Sequence, residues 1–207
     1  EFRRVLFRSG LKLPYVHMVY SVPPWLNFLT ALEAPLTILP TVHLWKKDPD
    51  RPRYEAGWTA FRSLLERRLG ADGIAALFGS DPAQVQTCID RLIGACGGHV
   101  RDLLRLCQEV VKRASALPVS DRVLDSVINA ARRDLLPIAR DDAKLLGTIA
   151  ERRDTGLDKT DERSIERLSS LLDEHRVIYF VNGDAWYDIH PLIRDEVKRL
   201  NDLPPTE

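Results

Sequence analysis

A mainly α fold, entered through the end of a parallel α/β core, is what this 207-residue sequence predicts. Three observations lead there. From residue 54 onward apolar residues recur at three- and four-residue steps, as in helices that bury one face. Ahead of them, two short apolar runs read as buried strands of a parallel sheet. Near the other end, two aromatic-rich runs flank Asn182-Gly183, the pattern of a β-hairpin. The expected division is a core remnant over 10–53, a helical bundle over 54–136, a helix–helix–strand–strand–helix module over 137–201 and a frayed tail over 202–207.

Composition narrows the function classes. With 44% hydrophobic and 29% charged residues the chain reads as a soluble globular protein. Thirty basic residues balance thirty acidic ones, so bulk charge recruits neither nucleic acid nor an anionic membrane. No apolar run approaches the ~20 residues of a membrane span. Cys88, Cys96 and Cys107 lie on apolar helix faces without metal-ligand spacing and read as core thiols of a cytoplasmic protein. Since the first residue is Glu1 and the one Met is Met18, further coding sequence is expected upstream. Residues 1–9 (Glu-Phe-Arg-Arg-Val-Leu-Phe-Arg-Ser) are similar to a translated sequencing adaptor and are excluded from the fold. The alternative is a short basic amphipathic targeting segment.

In chain order, Tyr15–Ser21 is a buried parallel strand stopped by Pro23-Pro24, Trp25–Leu32 a short helix, and Thr41–Trp45 a second strand. After a charged loop over 46–53 come four helices. Trp58, Phe61, Leu64, Leu65 and Leu69 stripe the first. The second, Pro82–Cys96, has Asp81 as cap and Pro82 in its first turn. Gly97-Gly98 breaks the chain before the third, striped by Val100, Leu103, Leu104, Cys107 and Val110. Ser120 caps the fourth, with Leu124, Val127 and Ile128 inward. Two more helices cover 141–153 and 161–175, and the hairpin runs from Val177 to Ile189. Pro191 then opens a last helix and holds His190 extended. His190 therefore sits where a strand meets a helix N-terminus, a place friendly to anions. The order helix, helix, strand, strand, helix reads as a winged helix.

A parallel-sheet remnant, a helical bundle and a winged helix, in that order, resemble the nucleotide-switch ATPases of the AAA+ and STAND type. Three short places carry the resemblance. Tyr20-Ser21-Val22-Pro23-Pro24 looks like the sensor-1 strand, which implies that Ser21 faces the γ-phosphate. Cys96-Gly97-Gly98-His99-Val100-Arg101-Asp102 resembles the Cys-Gly-Gly-Leu-Pro-Leu stretch of NB-ARC switches, but His99 and Val100 replace the Leu and the adenine-packing Pro. It also resembles the sensor-2 pattern Gly-x-x-Arg, which implies that Arg101 contacts the γ-phosphate. Ile189-His190-Pro191-Leu192-Ile193-Arg194-Asp195 resembles the winged-helix motif Met-His-Asp-Leu-x-Arg-Asp of STAND switches. That match implies that His190 touches the β-phosphate of ADP in the off state, while Pro191 replaces the acidic third residue of the motif.

The resemblance implies ATP or ADP as ligand, with Mg2+ held in an upstream P-loop core, and self-association or protein partners. Bland alternatives stand beside each residue: Ser21 ending a strand, Arg101 paired with Asp102 or another carboxylate, and His190 satisfying backbone at a corner. DNA binding is the competing function for a winged helix. The 161–175 helix argues against it, because Asp161, Glu162, Glu166, Asp173 and Glu174 outnumber Arg163 and Arg167. A self-contained enzyme is the third class. Neither a Gly-x-x-x-x-Gly-Lys-[Ser/Thr] loop nor a nucleophile–base or metal constellation is present, so no ATP hydrolysis is expected of this chain alone.

Overall fold

The computed structural model describes residues 41–157, 161–182 and 184–204. The expected strand at Tyr15–Ser21, with Ser21, and the helix at Trp25–Leu32 lie outside the described residues. What is described is mainly helical: seven α-helices and one two-stranded antiparallel sheet.

Four helices form the bundle: α1 (Glu55–Phe78), α2 (Pro82–Ala95), α3 (Val100–Arg113) and α4 (Asp121–Asp134). Within α1 the backbone leaves helical geometry at Gly70 (φ 71°, ψ 165°), so a first helix ends beside Leu69 as its stripe implies, and a second helical stretch extends to Phe78 across the kink. The extension buries Ile74 and Phe78, whose spacing after a Gly is too short to stand out as a stripe. Asp81 caps α2 as expected, accepting from Ala83 N at 3.2 Å. Ser120 makes no side-chain cap bond to α4; Asp121 in the first turn supplies the negative charge that the helix dipole favours there. Trp58, Phe61, Leu92, Ile93, Leu103, Val110 and Leu124 meet in one core. Cys88, Cys96 and Cys107 are free and buried. Burial pushes the Cys96 thiol to about 12 and Cys107 to about 11, so both stay protonated and inert.

Among the described residues Thr41–Trp45 pairs with no strand of a sheet, contrary to the expected second strand. It makes one isolated antiparallel bridge, Trp45 to Arg53, and packs on the bundle. Its main chain bonds to the bundle side: Val42 N donates to Gly98 O (3.2 Å), and Leu44 O accepts from Tyr54 N (2.9 Å). Leu44 is fully buried in the bundle core, and its carbonyl also accepts from Trp58 Nε1 at 2.7 Å. The segment lies so close to α1 that a Cβ built on Gly57 would sit 1.7 Å from His43 O. Ala exceeds Gly in helix propensity by ~1 kcal/mol, which alone would make Gly57→Ala stabilising. We expect the opposite, a loss of ~1–3 kcal/mol from overpacking, read as a lower urea midpoint. A midpoint equal to or above wild type would contradict the contact.

The second module comprises α5 (Arg140–Arg152), α6 (Glu162–Asp173), β1 (Val177–Asn182), β2 (Asp184–Ile189), a 3-10 turn (Pro191–Ile193) and α7 (Arg194–Asn201). The hairpin pairs Val177 with Ile189, Tyr179 with Tyr187 and Phe180 with Trp186. Val177, Tyr187 and Ile189 join Ala143, Leu146, Ile149, Leu171 and Val197 in a second core. The other face of the hairpin, Ile178, Phe180 and Trp186, is buried as well. His43 meets Phe180 and Trp186 edge-on there, with ring centroids 4.9 and 5.4 Å away. A hairpin covered on both faces explains apolar runs without alternation. Among the described residues no helix is long and apolar enough to cross a membrane.

Candidate functional site at the bundle–hairpin junction

The Gly97-Gly98 turn brings the two modules together. Both residues have positive φ, 62° and 92°, and both lie where a side chain would collide. A Cβ on Gly98 would be 2.1 Å from Val42 O, and one on Gly97 would be 2.8 Å from Ile178 Cδ1 and 3.0 Å from His190 Nε2. His190 thus packs its ring against the backbone that leads into α3. It is 4% exposed. Its N–H donates to Arg176 O at 2.9 Å, and its Nδ1 accepts from Leu192 N at 3.3 Å, capping the 3-10 turn. With Nδ1 as acceptor, the hydrogen-bond pattern assigns the ring proton to Nε2, the nitrogen facing Gly97. Burial, reinforced by His99, His175 and Arg194, lowers the His190 pKa to about 3 against the pull of Asp102. His190 is therefore a neutral donor at physiological pH.

Three further groups surround it. His99 stacks on His175 with ring centroids 4.6 Å apart and planes at 11°. His175 Nδ1 lies 3.4 Å from Asp102 Oδ2. Asp102 also faces Arg105 at 3.8 Å. Burial alone would raise Asp102; the bond from His175 and the charges of the nearby histidines prevail and lower it. The same bond raises His175 against its own burial, whereas burial and His175 lower His99. His99 Nε2 is buried with no hydrogen-bond partner among the described residues. Ligand atoms of His99, Asp102 and His175 lie within 4.8 Å of one another. Two imidazoles and a carboxylate suit a zinc-like ion. The stacked rings, however, hold their in-plane lone pairs in two separate, nearly parallel planes, so one ring would have to turn for both to meet one ion.

Arg101 lies in the first turn of α3 and is exposed. No ion pair joins it to another described residue; Asp102, its proposed sequence partner, is taken by His175 and Arg105. Helix α3 thus carries Arg101 from the turn that His190 packs against. The structure brings the Gly97–Arg101 stretch and His190 to one junction, while Ser21 lies outside the described residues.

Nothing in the sequence marks the second constellation, which centres on Asp188. This carboxylate, 3% exposed, takes three arginines. Arg51 approaches through Nε to Oδ2 (3.0 Å) and Nη2 to Oδ1 (3.1 Å), Arg153 through Nη1 to Oδ1 (3.3 Å), and Arg194 through Nη2 to Oδ2 (3.1 Å). Ala150 O also accepts from Arg51 Nη2 at 2.8 Å and from Arg153 Nη1. Arg51 and Arg153 both hold left-handed backbone, φ 48° and 58°. Four residues from four separate parts of the chain converge, and only their fold makes them neighbours.

No protein-family model, curated protein or solved structure matches this chain.

Proposed function

We propose that this chain is the lid and winged-helix part of an ATP/ADP-switched ATPase of the AAA+/STAND type, whose P-loop core holds the nucleotide and Mg2+ outside this sequence. The observation that supports it most is the meeting of two motif-like segments far apart in sequence: the Gly97-Gly98 turn that leads to Arg101, and His190, whose ring packs on Gly97. In this reading the stretch ahead of residue 41 ends the α/β core, the four-helix bundle with the 41–53 segment laid on it is the lid, and residues 137–201 are the winged helix. His190 clamps ADP by donating from Nε2, as a neutral imidazole can. Exchange for ATP releases the winged helix and lets Arg101 and Ser21 engage the γ-phosphate, which favours self-association in the cytoplasm. Only a difference in contacts between the nucleotide states can drive such a change.

The test joins the chain to its upstream core. His190→Ala is expected to weaken ADP by about ten- to hundredfold, the ~1.5–3 kcal/mol of one charge-assisted bond, and to shift the protein toward oligomers at equal ADP. Unchanged ADP affinity together with an unchanged oligomeric state ends the latch reading. The 207-residue chain by itself is expected to turn over no ATP, measured as phosphate release.

A further inference from the structure

We propose that the arginine knot around Asp188 is a binding site for a phosphate-type oxyanion, engaged from the exposed side of Arg51 and Arg194. It does not rest on the nucleotide-switch reading. Three guanidinium groups share one carboxylate, so the cluster keeps a surplus of two positive charges. The acidic neighbours Asp48 and Asp50 in the Arg51 loop, Asp154 after α5 and Asp195 beside Arg194 make no ion pair with these arginines among the described residues. With Arg153 buried and Arg51 and Arg194 only partly exposed, such a cationic surplus is costly unless an anion completes it.

Arg153 is 4% exposed, yet its Nε has no hydrogen-bond partner among the described residues, and the buried Nε of Arg194 has none either. Buried donors without partners call for an explanation, but these two nitrogens are closed to solvent and the Nε atoms of Arg132 and Arg176 are in the same state. The anion is therefore met by the exposed parts of Arg51 and Arg194, and the surplus charge carries the case. Burial and the crowding of Arg51 and Arg153 push Arg194 down to about 10, the electrostatic strain an anion would relieve.

The donors are also held in place before any ligand arrives. Trp45 lies under the Arg194 guanidinium at 4.9 Å, and Ala150 O fixes both Arg51 and Arg153. Side-chain exposures of 22% for Arg51 and 26% for Arg194 leave both within reach of solvent. Planar guanidinium forks in fixed orientation match the oxygens of a phosphate or phosphate monoester, in two-point contacts that a halide cannot make.

Thermal unfolding of the whole chain in increasing inorganic phosphate tests this, against chloride at matched ionic strength. At ten times the dissociation constant, phosphate is expected to raise the midpoint by ~3–6 °C, and the rise should continue with the logarithm of phosphate concentration. Arg51→Gln and Arg194→Gln should each abolish the rise beyond that seen in chloride. Parallel titrations with phosphoserine and with AMP identify the source: an equal midpoint rise at a lower concentration of either ester assigns the site to a phosphorylated side chain or to a nucleotide, and at equal concentrations to free phosphate. Should the variants fail to fold, wild-type protein serves: phosphate should slow phenylglyoxal modification of Arg51 and Arg194, mapped by mass spectrometry, at least fivefold relative to Arg105. A phosphate response no larger than that of chloride, or equal modification with and without phosphate, overturns the site.

Discussion

Asp188→Asn is expected to cost ~3–5 kcal/mol of folding stability, because the substitution leaves three arginines around a site that no longer holds a charge. That is a large share of the ~5–15 kcal/mol that keeps a typical domain folded. Arg153 suffers most, being 4% exposed, with only neutral acceptors, the Ala150 carbonyl and the introduced amide oxygen, left to its Nη1. Both ties from Arg51 to β2 end on the same carboxylate, so the loop before α1 should also loosen its hold on the second module. Asp125→Asn is the matched control. Asp125 pairs with Arg91 but is 61% exposed, and solvent-screened pairs of that kind contribute ~0–1 kcal/mol. Urea unfolding of both variants measures the difference. If the two midpoints fall by equal amounts, the Asp188 knot is not a buried charge centre.

Mild acid should destabilise the protein before its carboxylates titrate, and His190 is the reason. Its folded pKa lies at about 3, below its ordinary value of 6.5. A depressed pKa means that the unfolded chain takes up the proton first. The stability that neutral His190 contributes is thus complete above pH 6.5 and is lost as pH falls from there toward 3. Each pH unit in that window removes up to ~1.4 kcal/mol through this group. His99, lowered by burial, acts in the same direction. His175 acts in the other: raised by Asp102, it contributes fully below 6.5 and loses its contribution only as pH rises through its folded value. Asp102 and Asp90 are lowered, so their contributions persist until more acidic conditions. Between pH 6.5 and ~4.5 the histidines therefore dominate the slope. Urea midpoints measured across that range should fall for wild type, and fall less steeply for His190→Gln. A parallel decline in both proteins would assign the acid sensitivity elsewhere.

The helices were legible because their causes are local. Leu103, Cys107 and Val110, or Ala143, Leu146 and Ile149, repeat at helical spacing, and a buried stripe forms from such a pattern whatever it packs against. The hairpin was legible for the same reason, with two β-prone runs about a turn. Thr41–Trp45 shows the limit. An apolar run of that length fits a parallel strand or a segment laid on a bundle equally well, and only the partners distinguish them. Here Leu44 enters the bundle core and Val42 bonds to Gly98, so no neighbouring strand is needed. Gly57 reads in the sequence as an ordinary helical glycine; the fold sets His43 O beside it.

The candidate site divides along the same line. The sequence alone determined that His190 caps a strand–helix corner, since Pro191 restricts both its own φ and the residue before it. It likewise determined that the chain breaks at Gly97-Gly98, where positive φ is needed. Only the tertiary structure decided that these two places touch, that the imidazole is buried and neutral, and that His99, Asp102 and His175 gather around it. It alone assembled Arg51, Arg153 and Arg194 on Asp188, whose positions span 143 residues of chain, from 51 to 194. Local propensity acts over a few residues through backbone sterics and spacing. Burial and charge clustering depend on which distant surfaces meet, and that is settled only when the hairpin packs against the segment that enters the bundle.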